Sequence, residues 1–337
     1  MSMIRYGIIG TGWITETFIA GAMGVSGMEL AAVYSRSAEK GRSFAQPFKG
    51  AAHGNTIKIY TDLQEMAQQE EIDAVYIASP NKLHYEQSKL FLRHGKHVIC
   101  EKPITIHPEQ LEELQELAAS KGLIYMEAIM MLHQPQLAAL KEAVSQLGRI
   151  RTAHIDFSQL SSKYPAYLAG KNPNIFNPEF CTGALMDLGI YCIYLVLELF
   201  GKPKEIAAHG QFLESGADCS GDLLFLYEDC HVSISYSKVG QNYLGSQIIG
   251  DQGTLTIDSI SQLTGMNLHQ PDGRIVPVWG DEEKNTLMGA EARSFCEWIL
   301  NPQQHKEAYA YCSRQAMKVC KLLETLRKQI GIEFKEV

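Results

Sequence analysis

Residues 4–15 read IRYGIIGTGWIT: an apolar run that stops at a glycine, a second glycine two positions on, then a pattern that suits a helix. Tyr6 to Ile9 has the make-up of a buried strand. Gly10 permits a tight turn. Gly12 lets a pyrophosphate come close to the backbone at a helix N-terminus, where unpaired N–H groups and the helix dipole attract anions. The glycine spacing alone is weak, but here a strand precedes it, a helix follows and a βαβ unit begins, which is the context that gives it meaning. Gly10, Thr11, Gly12, Trp13 and Ile14 are therefore candidate dinucleotide contacts. Thr15 stands where a third glycine is usual, so the helix should pack slightly farther from the strand.

Outward from this stretch the chain keeps a regular rhythm to about residue 125. Short apolar runs at residues 6–9, 30–34, 58–60, 74–78, 98–100 and 124–126 alternate with helical periodicity such as Tyr85 to Arg93 and Glu109 to Ser120. Such alternation means a doubly wound parallel sheet with helices on both faces. From about Ile150 longer alternating runs appear at residues 151–157, 223–226, 231–236, 244–249 and 254–257. They read as an open, mostly antiparallel sheet, and Gly289 to Leu300 and Tyr309 to Gln329 close the chain as helices. The expected division is a dinucleotide-binding domain over 1–125 and a substrate-binding and oligomerisation α/β domain over 126–337. No internal repeat or low-complexity linker is visible.

A chain of 337 residues suits two such domains, and 45% hydrophobic content is that of a globular protein. A net charge of −8 without a Lys/Arg block argues against nucleic acid and anionic membranes, leaving small molecules as partners. The opening residues do not read as a signal peptide, and the longest apolar run, Ile190 to Leu197, is far short of the roughly 20 residues that span a bilayer. Eight cysteines without regular spacing suit reduced thiols in a cytoplasm. His94, His97 and Cys100 cannot converge from a strand, so no metal site is expected.

Three further stretches meet at the carboxyl edge of the expected parallel sheet, where ligands of such sheets bind. After the second strand comes Ser35-Arg36-Ser37, where an acid would favour NAD. A guanidinium flanked by two hydroxyls instead suits a 2′-phosphate, so NADP is expected ahead of NAD. The strand at 74–78 runs into Ser79, Pro80, Asn81 and His84, and the strand ending at Cys100 into Glu101, Lys102 and Pro103. A charged pair at that edge is better explained by a cofactor's nicotinamide end than by solvent.

GIIGTGWI, SRS, VYIASPNKLHYEQSKLFLRHGKHVICEKP and GALMDLGIY lie in the order seen in the glucose-fructose oxidoreductase, inositol dehydrogenase and rhizopine-catabolism (Gfo/Idh/MocA) family, which the chain resembles over essentially its whole length. The EKP after GKHV is the most specific of these. The resemblance implies a Rossmann domain, then an α/β domain whose open sheet often forms dimer contacts. It also implies nicotinamide-dependent oxidation or reduction of sugars, cyclic polyols and diols, with Lys102 in the active site. Where many members carry a histidine, this chain has Tyr191, like the subgroup of dimeric dihydrodiol dehydrogenases.

Asp187 and Tyr191 share one face if their segment is helical. The expected roles are proton transfer by Tyr191, tuning of that phenol and polarisation of a carbonyl by Lys102, and orientation of the substrate or of Lys102 by Asp187. Asn81, His84 and Glu101, with Ser79 beside them, would hold the nicotinamide end. Residues 161–180 read as an overhanging loop in which Tyr164, Tyr167, Phe176 and Phe180 suit a substrate and the loop's own core equally. Apolar residues assigned to the outer face of the strands at 223–257 imply a homodimer or higher homo-oligomer. A non-catalytic NADP sensor and an NAD(P)-assisted glycosidase remain as alternatives on the same fold.

Overall fold

The computed structural model describes residues 3–334, which form two compact units. The first comprises residues up to His133 together with Glu283–Met317; the second comprises Gln134–Glu282 and the residues from Lys318 onward.

The first unit is built on six parallel strands, β1 (Ile4–Ile9), β2 (Met28–Tyr34), β3 (Lys58–Tyr60), β4 (Ala74–Ile77), β5 (His97–Glu101) and β6 (Tyr125–Ala128), in the spatial order β3-β2-β1-β4-β5-β6. This order reverses between β1 and β4, the switch point at which doubly wound sheets take their ligands. Helices α1 (Trp13–Ala22), α2 (Ala38–Ala45), α3 (Leu63–Ala67), α4 (His84–Arg93) and α5 (Pro108–Ser120) are the crossovers. Ile8, Val75, Tyr76, Ile77, Val98 and Ile99 are fully buried, as both-face coverage of a parallel sheet demands.

The boundary expected at 125/126 differs from this structure in two ways. Residue 125 starts β6, whose Tyr125 pairs with Val98, so the cut falls inside the first sheet. The late helix α9 (Lys284–Leu300), preceded in the chain by α6 (Gln136–Ser145), α7 (Tyr164–Leu168) and α8 (Ile190–Phe200), returns to the first unit and packs on α1. Its crossing is close: a Cβ on Gly21 would lie 2.7 Å from the Gly289 nitrogen. Such a return is invisible to periodicity, which reports that a helix has an apolar face but not what covers it.

The second unit holds eight strands, β7 (Ile150–Ser158), β8 (Glu205–Phe212), β9 (Asp218–Leu226), β10 (His231–Ser237), β11 (Ser246–Gly250), β12 (Gly253–Ser259), β13 (Thr264–His269) and β14 (Ile275–Trp279), ordered β14-β13-β12-β11-β7-β10-β9-β8. All pairings are antiparallel except β10 with β7. Leu223, Phe225, Val232, Ile234, Tyr236, Ile248, Leu255 and Ile257 point inward and are buried, as is most of α8. The outer face, on which Leu224 is exposed, is more polar than expected from the sequence. It carries Thr152, His154, Asp222, His231, Ser233 and Ser235, tied across strands by His154 Nδ1 to Ser233 Oγ (2.7 Å), Thr152 Oγ1 to His231 Nε2 (3.1 Å) and Ser235 Oγ donating to Asp222 (2.6 Å). Strand alternation assigns each residue to one face: Leu223, Phe225 and Ile234 point to the core, while Leu224, opposite Ser233, stays 38% exposed.

The stretch Pro178–Phe200 is long and apolar enough by composition to cross a bilayer, more than the run of Ile190 to Leu197 suggested, but it is mostly buried as core.

Candidate functional site

Gly10 ends β1 with φ +107°, and a Cβ there would sit 2.4 Å from the Ala78 carbonyl oxygen at the end of β4. Only glycine fits, and its turn opens the switch point. Gly12 differs: its backbone is extended at φ −92°, and a Cβ would meet nothing within 4 Å. The protein itself does not require glycine at 12, which leaves an open backbone at the N-terminus of α1, the shape a pyrophosphate needs. Thr11 and Trp13 are exposed and Ile14 half-buried around it. Lys284 Nζ lies 4.3 Å from the Trp13 ring centroid, a cation–π pair at this edge. Beside the loop, a hollow of about 490 Å³ is lined by Thr11, Glu16, Lys40, Ser43, Phe44, Pro47 and Phe48.

The three residues after β2 divide their labour. Ser35 is buried, and its Oγ accepts the Ser37 N–H (3.4 Å). Ser37 caps α2 by accepting the Lys40 N–H (3.4 Å), leaving its hydroxyl proton to donate. Arg36 is exposed and makes no hydrogen bond or ion pair among the described residues. It and Lys40, one turn along, are the free cations at this corner; Lys40 was not anticipated, although its spacing from Arg36 could have suggested it.

At the β4–β5 edge the residues hold one another. Ser79 donates to Gln87 Oε1 (2.7 Å). His84 is fully buried, with Nε2 2.8 Å from the Ser79 carbonyl oxygen and Nδ1 2.9 Å from that of Pro103. It fastens the loop after β4 to the loop after β5 and cannot touch a bound molecule, which corrects the role expected for it. Burial lowers its pKa against the pull of both carbonyls. Glu101 accepts the Tyr76 hydroxyl (2.5 Å), whose ring stacks on Phe18 of α1 at 3.9 Å between centroids. Burial raises the Glu101 carboxyl, partly offset by Lys102 and Tyr76. Asn81 and Lys102 are half-buried at the same edge.

Asp187 and Tyr191 belong to the second unit. Leu185–Gly189 is a π-helical turn that runs directly into α8, so the expected helix contains a widened turn of the kind frequent at functional sites. The turn is anchored by Asp218, which accepts the Leu185 N–H at 2.7 Å and whose carboxyl burial pushes up to about 6. Asp187 is bonded to Lys238 Nζ, a buried cation that the sequence reading missed. Tyr191 packs edge-on against Phe157 of β7, centroids 5.6 Å apart. In residues 161–180, Phe176 is fully buried against Tyr164 and Tyr167, so these three form the loop's own core.

An open glycine turn at the switch point of a six-stranded parallel sheet, with free cations past β2, defines a nicotinamide-dinucleotide-type Rossmann unit. Residues 4–129 match the oxidoreductase family with an NAD-binding Rossmann fold, and residues 137–265 match the C-terminal domain of the same Gfo/Idh/MocA family. The chain belongs to that family. It is 38% identical, over 98% of each chain, to scyllo-inositol 2-dehydrogenase (NADP(+)) IolU of Bacillus subtilis. To mouse trans-1,2-dihydrobenzene-1,2-diol dehydrogenase it is 27% identical, again over 98% of each. The crystal structure of KijD10, a 3-ketoreductase from Actinomadura kijaniata, in complex with NADP and TDP-benzene shares the fold with a TM-score of 0.81 at 22% identity, over 98% of each chain.

Proposed function

We propose that this oxidoreductase uses NADP(H) in preference to NAD(H) and interconverts a hydroxyl and a carbonyl on a cyclic polyol, sugar or diol. The observation that carries the reading is the open backbone of Gly12 together with an exposed Arg36 that has no hydrogen-bond or ion-pair partner among the described residues. Two relatives named for polyol or diol oxidation along the full chain support the substrate class.

When bound, the nicotinamide supplies or takes up the hydride. The N-terminal N–H groups of α1 hold pyrophosphate, Arg36 pairs with the 2′-phosphate with Ser37 as a further donor, and Asn81 and Lys102 flank the nicotinamide end, while Ser79, His84 and Glu101 set the shape of that edge. It is the family pattern that groups Lys102 with Asp187 and Tyr191. In this reading Tyr191 transfers the proton of the substrate oxygen, Lys102 favours the phenolate and polarises the carbonyl, and Asp187 orients the substrate. The first unit is thus the cofactor domain and the second the substrate domain. A cytoplasmic location and self-association as a homodimer or higher homo-oligomer complete the proposal; a monomeric mass in light scattering would remove the latter. Calorimetry with NADPH and NADH, followed by turnover on cyclic polyols, sugars and diols in both directions, tests it. Equal affinity for the two cofactors would overturn the NADP assignment.

A further inference from the structure

Lys238 follows β10 directly and is only 5% exposed. Its backbone is pinned on both sides: its N–H donates to the Cys219 carbonyl (2.8 Å) and its carbonyl accepts the Ser161 N–H (2.9 Å). The ammonium is bonded to Asp187 Oδ2 in the π-helical turn, and it also stands in the field of Asp218 at the start of β9. Asp218 in turn holds the first residue of that turn, and Gly183, at φ +150°, packs against it so closely that a Cβ would clash with Asp218 Oδ1. Asp187 is thus the carboxylate that meets the buried cation, while Asp218 holds the turn that carries it.

A buried ammonium paired with a carboxylate is uncommon because removing both from water is costly, and removing one partner leaves an uncompensated charge. Asp218 fixes the start of the turn through the Leu185 N–H. The Asp187 side chain keeps 27% of its surface exposed. A carboxylate bonded by an ammonium is a poor proton acceptor but a good hydrogen-bond acceptor.

We propose that Lys238 is a positioning residue that holds Asp187 ionised and oriented as the acceptor for a substrate hydroxyl next to the reacting carbon, so that the protein selects vicinal diols and polyols over simple alcohols. This rests on the reading of the chain as a hydroxyl/carbonyl oxidoreductase. A substrate with one isolated hydroxyl gains nothing from the arrangement.

The test compares Lys238→Met, which keeps the aliphatic stem, with Lys238→Arg, which keeps the charge, on a cyclic polyol and on cyclohexanol. Lys238→Met should raise KM for the polyol by about tenfold or more, the effect of losing one charge-assisted hydrogen bond, with a smaller change in kcat, and leave cyclohexanol and NADPH affinity unaltered. Lys238→Arg should restore most of the polyol KM. Independently of turnover, the Asp187 carboxyl followed by carbon NMR should titrate about one pH unit or more higher in Lys238→Met than in the unaltered protein. Should Lys238→Met fold poorly, Asp187→Asn/Lys238→Met removes both charges together and should fold while keeping the high polyol KM. Equal losses on both substrates, no rescue by arginine, or an unmoved Asp187 titration would each overturn the proposal. If the unaltered protein turns over neither substrate, the functional reading falls, and the Asp187 titration still decides whether Lys238 holds that carboxylate.

Discussion

Gly10 and Ala78 approach so closely that a Cβ on residue 10 would lie 2.4 Å from the Ala78 carbonyl oxygen, whereas one on residue 12 would meet no protein atom within 4 Å. Two glycines of one motif thus answer to different demands, one of folding and one of binding. Gly10→Ala should destabilise the protein by at least the ~1–3 kcal/mol of an unfavourable φ, with the clash in addition. Gly12→Ala should melt within a few degrees of the unaltered protein yet bind NADPH about tenfold more weakly or worse, since the methyl occupies the space a pyrophosphate needs. Thermal melts and calorimetry on the two variants check both.

Arg36 has no hydrogen-bond or ion-pair partner among the described residues, so Arg36→Ala should leave stability almost unchanged. A charge-assisted contact to phosphate contributes about 1.5–3 kcal/mol, so the preference for NADPH over NADH should be about tenfold or more and should shrink by that factor in the variant. Dissociation constants for the two cofactors, measured at fixed ionic strength, read this directly.

Glu291 on α9 is 1% exposed, and neither carboxyl oxygen has a hydrogen-bond partner among the described residues. Burial first, then the nearby Glu101 and Glu127, raise its pKa well above the ordinary range, against a smaller pull from Lys284. The folded state therefore keeps a proton that the unfolded chain releases from about pH 4.3 upward, and stability falls as pH rises above that value. Glu291→Gln should be more stable at neutral pH and lose this part of the pH dependence, as denaturant unfolding at several pH values would reveal.

Acid should act on the first unit through histidines of the opposite sense. His97 accepts the Ile124 N–H on Nδ1 (2.9 Å), which requires the neutral ring, and burial depresses it to about 4. His133, half-buried beside Trp298, is depressed to about 3 by desolvation of its ring. Because the unfolded chain protonates near pH 6.5 and the folded one does not, stability is full above about 6.5 and declines as pH falls towards these values. His97→Gln should flatten the decline seen in melts between about pH 6.5 and 4.

Much of the first unit was legible because a parallel sheet writes itself as apolar runs separated by helices, and because the glycine turn and EKP sit at strand ends. β8, β13 and β14 were not: Glu205–Phe212 and Thr264–His269 hold few β-branched residues, and Ile275–Trp279 is a largely exposed edge strand interrupted by Pro277. The residues expected at the site were named from their positions, but their partners were not. That His84 faces the Pro103 carbonyl and that Lys238 meets Asp187 are matters of tertiary approach, with a separation of 51 residues in the latter case. Nothing in local spacing encodes them.

The central claim is that this chain moves a hydride between NADP and a hydroxyl-bearing carbon, with Tyr191 carrying the proton. The direct measurement is the reduced-nicotinamide absorbance on mixing NADP with cyclic polyols and vicinal diols, or NADPH with the matching ketones, for the unaltered protein and for Tyr191→Phe. The account predicts a substrate-dependent change that falls by about 10² to 10⁴ in Tyr191→Phe while NADPH affinity is retained. No change with any such substrate in either direction, or near-normal turnover by Tyr191→Phe, would contradict it.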